Sequence, residues 1–344
     1  MMRSNPEALG ELAQFLIYVI VRGFSCIINL FPEGSALWIG RQLGHLAYFI
    51  DFEHRHVAIK NLERAFGGEK SGSEIRGIAL RNFENLGMNL VEFLRFPRLN
   101  NEKLMEKVEI EGRSHVEAAL KRGKGIIFLL GHIGNWELLG CMSRLLGNDV
   151  MALARPLKKN QRLDRFIEQV RSSSGLQVLS SKRVAHQVVS ALRRNKMVGI
   201  LIDQREKRGE GIGVEFFGEN ASTTPASAFF ALKTGAAVIP VYAIRLEGGR
   251  HRIVAEPPVE LIKTGDKAED IRMNTQRHTE VLESIIRRFP DQWFWIHRRW
   301  KRKEKDRTRS RMRRYGKFIR EPVKPMVMKE GRYARPSNLS SSGR

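Results

Sequence analysis

Cysteine is scarce in this chain: Cys26 and Cys141 are the only two among 344 residues. That excludes a disulfide framework and a cysteine-based zinc site, and it suits a reducing environment. Long apolar runs are scarce too. Mean hydropathy is −0.34, which excludes a polytopic membrane protein. Leu9 to Phe31 is mostly apolar, but Arg22 interrupts it. The unbroken stretch Phe15 to Val21 is shorter than the roughly 20 residues a bilayer core requires. Only Arg3 precedes the run and no A-x-A site follows, so it does not read as a secretory signal. Three readings stand for it: a helix lying in the interface, a single span with Arg22 snorkelling or facing protein, and a soluble core helix. Trp38, Tyr48 and Phe49 beyond it read as interfacial belt residues or as core aromatics. Acidic residues are also in short supply, 37 against 60 Lys plus Arg, a formal net charge of +23. A surface that basic favours anionic partners: membrane lipid, nucleic acid or an acidic protein.

Apolar residues are plentiful at 42%, enough for a sizeable core, so the chain is not disordered throughout. The charge is uneven. Residues 301–344 hold 16 Lys/Arg and 4 Asp/Glu, a net of +12. This stretch has few apolar residues and no periodicity, and reads as a flexible tail that is solvated, membrane-adherent or bound to nucleic acid. No helix-turn-helix, zinc or RNA-binding signature accompanies the charge, so nucleic acid is not the expected partner.

Three segments follow from the pattern. Residues 1–31 form an N-terminal anchoring or interfacial helix, 32–300 the main domain, and 301–344 the tail. Within the main domain, 32–106 reads as helical. His54 to Phe66 carries one apolar face, and Ser73 is a candidate N-cap for a helix running to Phe96, where Pro97 stops it. From 107 onward strands and helices alternate. Strands are expected at 108–112, 125–131, 149–155, 176–180, 197–203, 236–246 and 252–261, with helices between them and at 267–289. Residues 204–220 read as a Gly- and charge-rich loop. The fold class is α/β: a mostly parallel central sheet flanked by helices, preceded by a helical membrane-associated segment.

The stretch Gly125 to Gly140, GIIFLLGHIGNWELLG, carries the chemistry. A buried strand ends at Gly131, His132 sits at its C-terminal end, Gly134 and Asn135 turn the chain, and a helix opens at Trp136 and Glu137. Sites in α/β sheets collect at such strand ends. A hydroxyl attacks an ester or thioester efficiently only if its proton is removed as the bond forms, and His132 is suited to that task. Glu137, one tight turn on, is the expected partner that fixes the tautomer. The backbone N–H groups at Gly134 and Asn135 are candidate oxyanion donors. A structural His–Glu hydrogen bond at a turn is the plainer alternative.

Other positions add weight. Arg155, Lys158 and Lys159 follow a strand and suit a phosphate; a solvated basic loop is the alternative. Asp203, Gln204 and Arg205 follow the strand MVGILID, where a carboxylate could orient the acceptor or pair with Arg155. Phe217, with Phe216 and Gly218, either lines an acyl channel or packs as core. Thr224, with Thr223, contacts substrate or caps the helix that begins at Pro225. Trp293 to Trp300 sets aromatics beside cations, as at a headgroup boundary or a core edge. His297 lacks a strand-end turn, and Cys141 reads as a buried helix residue.

GHIGNWE resembles the H-x4-[D/E] motif of the glycerolipid and lysophospholipid acyltransferase superfamily, and in particular the bacterial lipid A biosynthesis acyltransferase family. HRHVAIKNLERAF (54–66), ARPLKKNQRLD (154–164), EFFGENASTTPASAFFALKTGAAVIPV (215–241) and PDQWFWIHRRWK (290–301) resemble the same family, so the likeness covers about residues 10–301. The resemblance implies a single-pass or monotopic enzyme on the cytoplasmic face of the inner membrane. It implies transfer of a fatty acyl chain from acyl carrier protein to a lipid hydroxyl, here on a lipid A precursor, with no metal or organic cofactor. It carries over His132 as base and Glu137 as its partner. Another membrane glycolipid or a lysophospholipid is the alternative acceptor.

Overall fold

The computed structural model describes residues 6–153, 157, 159–179, 184–207 and 210–300. The basic tail and the expected substrate contacts Arg155 and Lys158 lie outside these residues. Four helices come first: α1 (Pro6–Ile28), α2 (Glu33–Ile50), α3 (Phe52–Phe66) and α4 (Gly72–Arg95). A 3-10 turn at Phe96–Arg98 and α5 (Asn101–Lys107) lead into the sheet domain. There the chain runs β1 (Val108–Glu111), α6 (Arg113–Lys121), β2 (Ile126–Leu130), a 3-10 helix at Trp136–Cys141, α7 (Met142–Leu146) and β3 (Val150–Leu153). It continues with α8 (Gln161–Ser173), β4 (Gln177–Leu179), α9 (Val184–Arg193), β5 (Met197–Leu201), β6 (Ile212–Phe216) and β7 (Glu219–Thr223). The last elements are α10 (Ala226–Thr234), β8 (Ala237–Arg245), β9 (His251–Ala255) and α11 (Lys267–Arg288).

Seven strands form one sheet in the order β1-β9-β8-β2-β5-β3-β4. From β8 to β4 all neighbours are parallel, while β9 returns antiparallel to β8 and carries β1 parallel to itself. The expected mostly parallel sheet is therefore present. β2 lies at its centre, and all five of its residues are buried, which is why its sequence is an unbroken apolar run.

Two local readings differ. The long helix is capped by Ser71, not Ser73. Ser71 accepts from the Glu74 N–H, and the Glu74 carboxylate accepts from the Ser71 N–H, so a reciprocal capping box starts the helix two residues earlier. The stretch expected as loop to Asn220 instead contains the β6–β7 hairpin. Its two-residue turn, Phe217 and Gly218, has φ of +50° and +72°, the left-handed pair that matches strand twist. A phenylalanine at such a position hides the hairpin from a reader looking for Asn-Gly.

The N-terminal helices pack differently from the sheet layers. α2 turns Ala36, Gly40, Gly44 and Tyr48 inward against α4. A Cβ on Gly44 would lie 2.1 Å from the Phe83 carbonyl oxygen, so only glycine permits the approach. Tyr48 is a core aromatic, edge-on to Phe83 at 5.6 Å. Trp38, Leu43, Leu46, Phe49 and Ile50 are exposed, giving α2 an outward apolar stripe. α1 likewise exposes Leu12, Leu16 and Ile20. Its span Gly10–Ile28 is long and apolar enough to cross a membrane. Its other side is docked. Arg22 lies 4.9 Å over the Phe166 ring of α8, and the Asn160 side-chain amide donates to the Gln14 carbonyl at 2.8 Å.

Candidate active site

Sheet register builds the site. β2 and β5 are parallel neighbours with Leu130 opposite Leu201. Two residues past each end stand His132 and Asp203, and the Ile202 N–H still donates to the Leu130 carbonyl at 3.1 Å. The two side chains therefore meet at the carboxyl edge of the sheet. Asp203 Oδ1 lies 2.8 Å from His132 Nδ1, and its Oδ2 accepts from the His132 N–H at 2.7 Å. The Trp293 indole N–H donates to the same Oδ2 at 2.7 Å.

Three donors converge on a carboxylate whose side chain is 1% exposed. Burial alone would raise its pKa. The charge of His132, together with the hydrogen bonds from His132 and Trp293, outweighs that and holds Asp203 at about 2. Burial would likewise lower His132, but the Asp203 charge and hydrogen bond raise it above its ordinary value, with a further push from Glu137 and an opposing one from Arg171. With Asp203 ionised, the proton on His132 resides at Nδ1, and Nε2 is the basic edge. Among the described residues, the hydrogen-bonding side chain at that edge is Gln204, whose amide nitrogen stands 3.3 Å away. Trp136 and Phe294 flank the ring, with centroids at 5.1 and 5.7 Å.

Glu137 is not the hydrogen-bonded partner of His132. Its carboxylate is gripped by Arg171 of α8, with Nε at 2.9 Å and Nη2 at 2.5 Å. The reason is the turn. Gly134 has φ of +56°, and a Cβ there would sit 1.9 Å from the Ala243 carbonyl oxygen. The chain is pinned against β8 at that point, and the 3-10 helix departs toward α8 before it can fold back on the imidazole. Glu137 reaches His132 through its charge.

The oxyanion expectation for Gly134 and Asn135 meets the same constraint. The Gly134 N–H donates to the Gln292 carbonyl and the Asn135 N–H to the Ala243 carbonyl, both at 2.8 Å. Buried backbone donors must be satisfied, and these two already are. The Asn135 side chain caps the 3-10 helix through the Leu138 N–H at 3.3 Å.

Behind the turn lies a second carboxylate that the sequence reading passed over. Glu92 of α4 accepts from Asn135 Nδ2 at 2.6 Å, from two Arg245 nitrogens at 2.7 Å and lies 2.9 Å from His251 Nε2. Asn89 donates to the Gly134 carbonyl at 2.7 Å and accepts from Arg245 at 2.7 Å. Burial would raise Glu92, but the His251 and Arg245 charges hold it far below the usual carboxylate range. Glu92 and Asn89 lie three residues apart on one face of α4, which is the only trace the network leaves in sequence.

The closing motif also belongs here. Trp293 and Trp295 are buried in the core rather than placed at a headgroup boundary. His297 Nε2 accepts from the Arg205 N–H at 3.0 Å. Burial is the main cause that pushes this imidazole down to about 4, so at neutral pH it is an uncharged acceptor holding the Asp203–Arg205 segment. Arg299 is buried, donates to the Ser222 carbonyl at 2.8 Å and bonds Thr223.

Two expected substrate contacts have partners within the fold. Phe217 packs as core, its ring 5.4 Å from Phe66 and 4.8 Å from Phe216. Thr224 Oγ1 accepts from the Ala226 N–H at 3.4 Å, at the start of α10. Cys141 is buried, and burial raises its thiol to about 11, which removes it as a nucleophile.

The chain is similar to known proteins over most of its length. A model of the family "Bacterial lipid A biosynthesis acyltransferase" matches residues 7–302. A phosphatidylinositol mannoside acyltransferase of Mycobacterium tuberculosis is 27% identical over 259 residues, 74% of this chain and 79% of that protein. The lipid A biosynthesis palmitoleoyltransferase of Escherichia coli is 26% identical over 274 residues, covering 78% and 86%. The lipid A biosynthesis lauroyltransferase of the same organism is 25% identical over 265 residues, covering 76% and 84%.

Proposed function

The chain belongs to the bacterial lipid A biosynthesis acyltransferase family, and from that premise we propose that it transfers a fatty acyl chain from acyl carrier protein to a hydroxyl of a lipid A precursor, with His132 as general base. The observation that carries this reading is an imidazole whose Nδ1 is held by a buried, ionised Asp203, so that its basic Nε2 meets only the exposed amide of Gln204, at 3.3 Å, among the described residues. Nε2 takes the hydroxyl proton as the acceptor oxygen forms its bond to the thioester carbonyl carbon. The tetrahedral adduct then collapses, the carbon–sulfur bond breaks, and the imidazolium returns the proton to the departing thiolate. Asp203 orients the ring and stabilises the imidazolium. Glu137 adds negative charge nearby and keeps Arg171 beside the site. Gln204 gives way to the acceptor, and Arg205 stands next to it.

The basic surface suits both partners, since a lipid A precursor bears phosphates and acyl carrier protein is acidic. The apolar face of α1 suits attachment to the inner membrane from the cytoplasmic side. Its docking through Gln14 and Arg22 favours a helix lying in or partly entering the interface. The likeness to a phosphatidylinositol mannoside acyltransferase supports a second acceptor class, another membrane glycolipid.

An acyl-transfer assay with detergent-solubilised protein tests the reading. It uses a panel of acyl-carrier-protein donors, a tetra-acylated lipid A precursor, a mannosylated phospholipid, and His132→Ala alongside. Transfer to the precursor that falls by about 10³-fold in His132→Ala is the expected result. Transfer to the mannosylated lipid alone moves the acceptor and keeps the base. Folded protein that acylates no lipid refutes the proposal.

A further inference from the structure

A cavity of about 350 Å³ opens behind the catalytic turn, between α2, α5 and the Phe96–Arg98 turn. Its floor includes Asn135 and Leu138, three and six residues beyond His132, and its inner wall is apolar, with Leu37 and Phe96. Its rim is cationic: Arg95, Arg98, Lys103 and Lys107 line it.

The rim charge is not fully matched from within. Lys107 is paired with Glu33, and Glu92 on the floor is taken by Arg245 and His251. That leaves Arg95, Arg98 and Lys103 facing one unpaired lining carboxylate, Glu106. Each arginine spends one nitrogen on backbone. Arg95 Nη1 donates to the Ile28 and Phe31 carbonyls at 2.6 and 3.0 Å, and Arg98 Nη1 donates to the Asn29 carbonyl. The remaining guanidinium edges are donors without a partner among the described residues, and Lys103 has no ion pair among them. Burial and the neighbouring Arg98 both act against the Arg95 charge, with Glu33 alone supporting it. An anion in the cavity would relieve that crowding.

The position of the rim says what kind of anion. The carbonyls that Arg95 and Arg98 hold belong to the α1–α2 turn. On the outer side of that turn Leu30, Phe31 and, just beyond, Trp38 are exposed. Cations stand directly beside an outward apolar shoulder, the sequence of chemistry met on passing from acyl chains to phosphates in a membrane surface.

We propose that this cavity is a phosphate subsite for a membrane lipid, with Arg98 and Lys103 binding the phosphate, Arg95 supporting them, and the apolar wall receiving the adjoining part of the amphiphile. The proposal deepens the acyltransferase reading by giving a phosphorylated lipid a second anchor close to the turn that carries His132. The same chemistry exists in the phosphopantetheine arm of an acyl donor, and the test separates the two sources.

The full chain in neutral detergent is titrated with dihexanoyl phosphatidic acid, dihexanoylglycerol and phosphopantetheine, and binding is followed by calorimetry. Dihexanoyl phosphatidic acid is expected to bind best. Lys103→Glu and the pair Arg98→Gln/Lys103→Gln should raise its Kd about tenfold or more. Lys121→Glu makes the same charge change as Lys103→Glu on an exposed helix end outside the cavity, and should leave Kd within about twofold. Lys103 has no side-chain partner to lose, so Lys103→Glu reports on binding even if the Arg98 pair fails to fold. Equal binding of dihexanoylglycerol, equal weakening by Lys121→Glu, or preference for phosphopantetheine overturns the proposal. The readout needs no turnover. Failure of acyl transfer therefore leaves it standing, and failure here with transfer intact removes only this subsite.

Discussion

The front and the back of one turn hold two largely enclosed carboxylates that do opposite things. In front, Asp203 binds an imidazole by one nitrogen and leaves the other to a single 3.3 Å contact with the Gln204 amide. Behind, Glu92 binds Arg245, His251 and Asn135, and Arg245 is held in turn by Asn89. Both are strongly ionised, so a low pKa does not separate the proposed catalytic carboxylate from a scaffolding one. What separates them is a basic atom that meets only one exposed, displaceable side chain among the described residues. The front has Nε2 of His132, whereas the back uses its charge to hold the Gly134–Asn135 peptide in place.

Asp203→Asn is the sharpest way to break that contrast. Asparagine keeps the volume but offers one acceptor oxygen to three donors, so its amide must face one of them and the His132 tautomer that frees Nε2 is lost. The expected loss in kcat is about 10²–10⁴-fold with a cooperative melt retained. Retained turnover would remove Asp203 from the mechanism. Glu92→Gln should do the reverse. It leaves the buried Arg245 uncompensated and should destabilise by about 3–5 kcal/mol in denaturant unfolding, with any surviving folded enzyme keeping most of its kcat.

Glu137→Gln sharpens the comparison from a third position. Because Glu137 acts on His132 only through charge, kcat should fall about tenfold, well short of Asp203→Asn. The pH profile gives the sign. His132 must be neutral to act as base, and its pKa is raised, so activity climbs with pH through a midpoint above the ordinary 6.5. Removing the Glu137 charge while keeping Arg171 should move that limb to lower pH. A limb that stays put, or a loss as deep as that of Asp203→Asn, would return Glu137 to the role of direct partner. The smallest effect belongs to Thr224→Ala, about 0.5–1 kcal/mol of stability with kcat unchanged, because the hydrogen bond Thr224 Oγ1 accepts lies at the start of α10.

Much of the fold was legible in the chain. The apolar runs at 126–130, 197–201 and 237–245 are strands because residues buried on both faces leave no room for polar alternation. The hairpin at 212–223 was hidden by the polar residues on its exposed face and by a Phe-Gly turn. At the site, the sequence marked both His132 and Asp203 as strand-end residues, yet linked His132 to Glu137 because they are close along the chain. Proximity in sequence is a poor guide at a sheet edge, where Asp203, 71 positions further along the chain, comes to hydrogen-bonding distance. Phe217 and Thr224 were ambiguous for a related reason: the same residue types serve core or cap as readily as substrate, and only packing chooses.

By its sequence alone this protein is an α/β chain with a basic surface, an apolar N-terminal helix and a histidine at the carboxyl end of its central strand, because composition, periodicity and local turn residues act over a few positions. Which carboxylate meets that histidine, which backbone donors are already spent and where a cationic cavity opens were decided by tertiary structure. Strand register and the pinning of Gly134 against β8 are relations between distant segments, and no local pattern encodes them.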